Sequence, residues 1–215
     1  TMNNTVEVTV TGAAENDYCG CSVSSAGDLN GDNYDDVIVG APYNDAGGAN
    51  AGRAYIYLGG ASMNSTSDLI LTGNTAGDLF GFSVSSAGDV NNDGYDDVIA
   101  GAYNNDAGGF NAGRAYVYLG GAAMNNTADV IMTGLSAADN LGYSVSMAGD
   151  VNGDGVGDVR AGAYNNDAGG SNAGRAYIYF GGSTMNNTAD IILTGEAAGD
   201  NFGNSVSSAG DVNGD

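Results

Sequence analysis

The sequence predicts an all-β protein made of β-propeller blades, each blade a sheet of four antiparallel strands. Three observations predict it. A unit of 61 residues recurs without insertion or deletion along the 215-residue chain. Each unit holds four short runs rich in Val, Ile, Leu and Tyr, set apart by clusters of Gly, Asn and Asp. No window shows an apolar stripe of helical period. Many near-identical units of four strands, each burying only part of its faces alone, point to stacked blades. A β-helix would use shorter turns of chain.

The period is read from several markers. Ala-Gly-Asp begins at Ala26, Ala87, Ala148 and Ala209; the Gly-Arg-Ala-Tyr run carries Arg53, Arg114 and Arg175; and Met2, Met63, Met124 and Met185 each open Met-Asn-(Asn/Ser)-Thr. Three full units and 32 further residues result, and duplication is their simplest origin. In the second unit the strands are expected at Val84 to Ala87, Asp97 to Ala102, Arg114 to Leu119 and Ala128 to Thr133. Blades are therefore expected over 21–73, 82–134 and 143–195, with unpaired terminal strands over 5–11 and 204–210.

Charge narrows the function. The formal net charge is −22, with 26 acidic residues against four arginines and no Lys or His. Such a surface repels phosphate backbones and anionic headgroups, which excludes nucleic acid and membrane insertion, and it attracts divalent cations. Half of the acidic residues fall inside four periodic loops, so the charge is placed rather than spread. Without His no Ser-His-Asp or Cys-His arrangement exists. Glu7, Glu15 and Glu196 are isolated, and the chain is expected to be no enzyme. Cys19 and Cys21 stand where the second unit has Phe80 and Phe82, which marks them as apolar substitutes rather than a disulfide framework. No run approaches the roughly 18 apolar residues of a membrane span.

The loops carry the chemistry. In Asp89-Val90-Asn91-Asn92-Asp93-Gly94-Tyr95-Asp96-Asp97, side-chain oxygens occur at positions one, three, five and nine. Calcium takes six to eight oxygen ligands, so a short loop must turn several inward. Gly94 at position six supplies the left-handed turn, Tyr95 at seven offers its carbonyl, and Asp97 closes the set. The first loop reads Asp28, Asn30, Asp32, Tyr34 and Asp36; the third reads Asp150, Asn152, Asp154, Val156 and Asp158; a fourth offers Asp211, Asn213 and Asp215. The competing reading is a polar turn held by Asx hydrogen bonds, in which the clustered carboxylates would repel without a cation. An EF-hand needs a bidentate Glu at position twelve, where this chain has Val39, Ala100 and Ala161. Dockerin-like loops continue into a helix, whereas β-branched residues and Gly follow here.

Phe80-Gly81, the metal loop and then Val98-Ile99-Ala100-Gly101-Ala102 resemble the FG-GAP repeat of integrin α-subunit propellers and their bacterial relatives. Gly40-Ala41-Pro42 is the literal Gly-Ala-Pro; other copies read Gly101-Ala102-Tyr103 and Gly162-Ala163-Tyr164. The Phe-Gly pair recurs at Phe202-Gly203 and changes to Leu141-Gly142 and Cys19-Gly20. The resemblance covers nearly the whole chain. It implies a propeller of typically seven blades, calcium held between the first and second strands of a blade, and extracellular adhesion or ligand binding.

The remaining features have modest readings. Arg53, Arg114 and Arg175 are expected to pair with a nearby Asp in each blade, and Arg160, replacing Ile38 and Ile99, to be a tolerated strand substitution. Asn3, Asn64, Asn125 and Asn186 open Asn-x-(Ser/Thr) patterns, for which turn chemistry is the default over glycosylation. The function expected is a calcium-binding, extracellular or cell-surface repeat protein acting in adhesion or self-assembly. Other protein chains would be its partners, including copies of itself in a ring or filament. The alternative is a glycan-binding or enzyme-associated module of a larger secreted protein, with Tyr103 and Tyr164 as candidates for an aromatic platform.

Overall fold

The computed structural model describes residues 8–208. Twelve strands form three four-stranded antiparallel sheets, one per repeat. The first blade is β1 (Ser22–Gly27), β2 (Asp36–Ala41), β3 (Arg53–Tyr57) and β4 (Leu69–Thr72). The second is β5 (Ser83–Gly88), β6 (Asp97–Ala102), β7 (Arg114–Tyr118) and β8 (Val130–Thr133). The third is β9 (Ser144–Gly149), β10 (Asp158–Ala163), β11 (Arg175–Tyr179) and β12 (Ile191–Thr194). Strand order within each sheet follows chain order, a simple meander.

β6, with its Val-Ile-Ala-Gly-Ala run, is buried along its whole length because its sheet is packed between two blades; β2 and β10 are buried at all but one residue each. β5 packs against β1 and β9 against β5. The first strands thus sit side by side while the later strands fan outward, as propeller blades do. Each junction has its own core. Ile38, Ile56 and Leu71 of the first blade meet Phe80, Val84 and Val98 of the second. Ile99, Val117 and Met132 of the second meet Leu141, Val145 and Tyr179 of the third. Each such side chain stabilises the stack by about 1.5–3 kcal/mol relative to exposure.

The Phe-Gly and Gly-Ala-(Pro/Tyr) motifs meet at these junctions. Phe80 bridges to Gly52 of the preceding blade, as Leu141 does to Gly113 and Phe202 to Gly174. The next residue, Gly81, donates its N–H to the Gly101 carbonyl at 2.9 Å within its own blade. Its carbonyl faces Gly40 of the blade before, so closely that a Cβ on Gly40 would overlap the oxygen. The same contact joins Gly101 to Gly142 and Gly162 to Gly203.

Two expectations change here. The terminal strands expected over 5–11 and 204–210 are not formed where the chain is described: residues 8–11 and 204–208 carry no strand. The remainder of both segments, and the markers Met2 and Asn3, lie outside the described residues. Cys19 does pack against the core of Val39, Ala41, Tyr55 and Tyr57, but Cys21 is exposed, and both are free thiols.

Candidate metal centre

The three described loops join the first and second strands of each blade. A β-bulge precedes each one, with Gly27, Gly88 and Gly149 at φ 74°, 72° and 84°. The bulge twists the strand end and aims the next residue, position one, into the loop. Position six is left-handed as expected: Asn33 at φ 66°, Gly94 at 91° and Gly155 at 85°. Position four is left-handed too, at Gly31, Asn92 and Gly153, which the metal-loop reading missed. Its signal was the Gly or Asn in every copy.

Each loop is wound around its own side-chain oxygens. Asp150 Oδ1 accepts from the N–H of Gly153 at 2.7 Å and Asp154 at 3.1 Å, and Oδ2 accepts from Gly155 at 2.8 Å. Asn152 Oδ1 accepts from Asp154 N–H, and Asp154 Oδ1 from Val156 N–H, both at 2.9 Å. Asp28, Asn30 and Asp32 repeat this pattern in the first loop, with Tyr34 N–H donating to Asp32 at 3.0 Å. Asp89, Asn91 and Asp93 accept from positions five, six and seven in the same way in the second, with Tyr95 N–H donating to Asp93 at 3.0 Å. Burial raises the Asp28 carboxyl, but the N–H groups of Asn33, Gly31, Asp32 and Asn30 outweigh it and hold the carboxyl below its ordinary range.

Position nine is different. Asp36, Asp97 and Asp158 are fully buried. One oxygen of each accepts from position two: Leu29 N–H at 2.8 Å, Val90 at 2.8 Å, Val151 at 2.6 Å. The other accepts from the turn after the third strand: Gly59 N–H at 2.7 Å, Gly120 at 2.7 Å, Gly181 at 2.9 Å. Each therefore ties its loop to the far side of its blade. Desolvation pushes Asp97 up to about 7, helped by the charges of Asp93 and Asp89 and opposed by its two N–H donors. Asp36 is raised in the same way, with Asp32 and Asp28 contributing. Positions one and five thus act on position nine as charges of the same sign.

These donors fit a hard cation: every side-chain donor is oxygen, and the carboxylates repel one another. Among the described residues, however, no three acidic or thiol side chains converge closely enough to enclose an ion by themselves. Their oxygens are turned onto backbone N–H groups instead, the Asx-type closure that was the competing reading. An ion would therefore also need the Asn oxygen of position three and the carbonyl of position seven. Asp211, Asn213 and Asp215 lie outside the described residues.

Neighbouring loops touch. Asp96 N–H donates to the Asp28 carbonyl at 3.0 Å while its carboxylate accepts from Asp28 N–H at 2.8 Å. Gly157, the counterpart of Asp96, keeps only the first contact, donating to Asp89 at 3.2 Å.

Other polar features settle on structural roles. Arg114 Nε donates to Thr133 and Arg175 Nε to Thr194, each at 3.1 Å across paired strands, and their charges act on buried Asp78 and Asp139. Asp17 and Asp78 accept from Asn44 and Asn105 at 2.6 Å, a buried pairing at constant spacing that the metal-loop reading passed over. Arg160 donates to Ser146 at 2.8 Å and to the Met147 carbonyl at 3.0 Å, both on the neighbouring strand. Asn64, Asn125 and Asn186 close Asx turns by accepting from Thr66, Thr127 and Thr188. Tyr103 packs with Phe82 and Tyr143, and Tyr143 with Tyr164, at ring separations of 4.4–5.2 Å, and all four rings are half-buried.

The buried aspartates give a pH prediction. Desolvation raises Asp78 and Asp139 above the usual carboxylate value, against hydrogen bonds from Asn105 and Asn166. A folded-state pKa above the unfolded one stabilises fully below the unfolded value and is lost as pH rises through the folded value. In calcium-free buffer prepared by chelating resin, the melting temperature of Asp78→Asn should fall less than that of the parent as pH is raised from 4 to 7. Parallel curves would contradict this.

The sequence was compared with known proteins. The FG-GAP repeat matches at residues 22–57, 80–118 and 141–179. Integrin alpha-PS2 of Drosophila melanogaster is 34% identical over 83% of this chain, and integrin alpha-5 of Xenopus laevis 34% identical over 70%. Human integrin alpha-6 is 32% identical over 63%. The aligned part makes up 13%, 15% and 12% of those proteins, so the chain spans a small fraction of their length.

Proposed function

The chain belongs to the FG-GAP repeat family, and on that premise we propose that it is a calcium-stabilised propeller module of an extracellular or cell-surface protein acting in adhesion. The observation that carries the calcium reading is the oxygen-only loop recurring in register between the first two strands of every blade. Asp28, Asn30, Asp32, the Tyr34 carbonyl and Asp36 would hold one ion. Asp89, Asn91, Asp93, the Tyr95 carbonyl and Asp97 would hold a second; Asp150, Asn152, Asp154, the Val156 carbonyl and Asp158 a third; and Asp211, Asn213 and Asp215 would contribute to a fourth. Bound calcium would neutralise the carboxylates and lock the loop. The loop residues themselves set the strand ends and the contact to the next blade.

Extracellular calcium modules bind at about 10⁻⁴ to 10⁻³ M. With calcium at ten to a hundred times that constant, each loop gains about 1.4–2.7 kcal/mol. Three loops would then raise the melting temperature by roughly 8–30 °C for a chain of this size. Scanning calorimetry in calcium and in excess EGTA measures this. An unchanged melt together with no bound calcium by elemental analysis sinks the reading.

Adhesion is supported by the similarity to integrin α chains. Self-assembly would run through the apolar outer faces of the first and third blades. Val23 is 58% exposed where its counterparts Val84 and Val145 are 7% and 5%, and Phe202 is 41% exposed where Phe80 is 2%. Such faces suit a further blade, from the same polypeptide or another copy. Negative-stain electron microscopy and light scattering would register rings or filaments; a monodisperse monomer at all concentrations argues against self-assembly.

A further inference from the structure

A groove of about 350 Å³ lies at the junction of the first and second blades. Thr72 and Asn74, at and just beyond the end of β4, form one wall, and Asn126 and Thr127, in the turn before β8, the other. Tyr116 and Tyr118 of β7 also line it. Phe80 meets their rings nearly edge-on, at centroid separations of 5.4 and 6.2 Å, and so holds both tyrosines in place. The Asn125 carboxamide fixes the second wall by accepting from Thr127 N–H at 2.8 Å.

The lining is chemically selective. It holds no charged side chain, so nothing in it would retain a phosphate or carboxylate, and the chain's net charge of −22 disfavours anions further. Amides and hydroxyls both donate and accept, which suits a ligand carrying several hydroxyl groups. Tyrosine rings add an apolar body beside a polar tip, which suits the C–H face of the same ligand. The volume falls at the lower end of the roughly 300–1,000 Å³ found for small-molecule sites.

We propose that this groove binds a neutral sugar residue, seated on the half-buried Tyr116, which the buried Tyr118 backs, and hydrogen-bonded by Asn74 and Asn126. The inference deepens the adhesion reading by giving it a ligand class, and it does not depend on the calcium loops. The repeat supplies an internal control. At the next junction Leu135 replaces Asn74 and Leu141 replaces Phe80, while the positions of Thr72, Tyr116, Tyr118, Asn126 and Thr127 are unchanged in type. One binding site, not two, is therefore expected from the two junctions.

The test is saturation-transfer NMR on the whole chain with glucose, galactose, mannose and N-acetylglucosamine at millimolar concentration, followed by titration of any that respond. Saturable binding at one site per chain is expected. Asn74→Leu, which installs the residue the next junction already carries, should weaken binding at least about tenfold without moving the melting temperature. Asn126→Ala should weaken it as well. No saturable binding by any of the four sugars overturns the inference, as does binding unaffected by both substitutions. A calcium-dependent melt without sugar binding removes this inference alone, and sugar binding with a calcium-independent melt removes only the calcium reading.

Discussion

Gly101→Ala is expected to cost the chain at least about 3 kcal/mol, the upper end of the usual overpacking range. Gly101 lies on β6 with no unusual φ, so its backbone conformation is open to alanine. The space is not. A Cβ there would overlap the Gly142 carbonyl oxygen and press on its carbon and Cα, all of them backbone atoms that cannot rotate away. Gly142 is itself fixed by its N–H bond to Gly162 at 3.0 Å. The second and third blades must therefore separate, and the core of Ile99, Val117, Leu141 and Val145 opens with them. Urea unfolding should show the loss. Gly157→Ala is the control: its Cβ would meet no atom closer than 3.4 Å, and it should stay within about 0.5 kcal/mol of the parent. Equal effects of the two substitutions would contradict the close approach of the blades.

Asp97→Ala is expected to cost about 2–6 kcal/mol in excess EGTA, because it strands two N–H groups at about 1–3 kcal/mol each. Those donors are Val90 and Gly120, and the carboxylate between them is wholly buried. The raised pKa of Asp97 sets a limit, since its charge is held at a desolvation cost that the alanine relieves. Asp93→Ala separates the structural role from the metal role. Asp93 is exposed and accepts only local donors, Tyr95 N–H and the Asn91 amide. In EGTA it should cost well under 1 kcal/mol, and in calcium distinctly more. If both variants lose stability only in calcium, position nine is a ligand and no strut.

Much of this architecture was legible because the signal was periodic. Asp97 to Ala102 was placed to the residue, and the other strands of that blade to within two. Periodicity also located the loops and their left-handed sixth position. It was silent wherever meaning depends on the partner rather than on the residue. Gly40 and Gly81 lie 41 residues apart and both read as turn formers, yet their role is mutual contact between blades. Asp36 reads as a ninth ligand, and nothing nearby in sequence announces Gly59, 23 residues on, as its donor. Asp78 and Asn105 looked like loop residues because burial is a property of the stack.

The glycine contact between blades has a consequence for how such chains change length. Its two halves, the carbonyl offered by one unit and the bare Cα offered by the other, are present in every repeat and face the same way each time. A unit copied into the array by unequal recombination meets its neighbours with surfaces already matched, and a deleted unit leaves two matched surfaces behind. The number of repeats can therefore drift as a single genetic event, with no compensating substitution, whereas a side chain placed on the bare-Cα glycine meets a backbone carbonyl that no substitution in the adjoining unit removes.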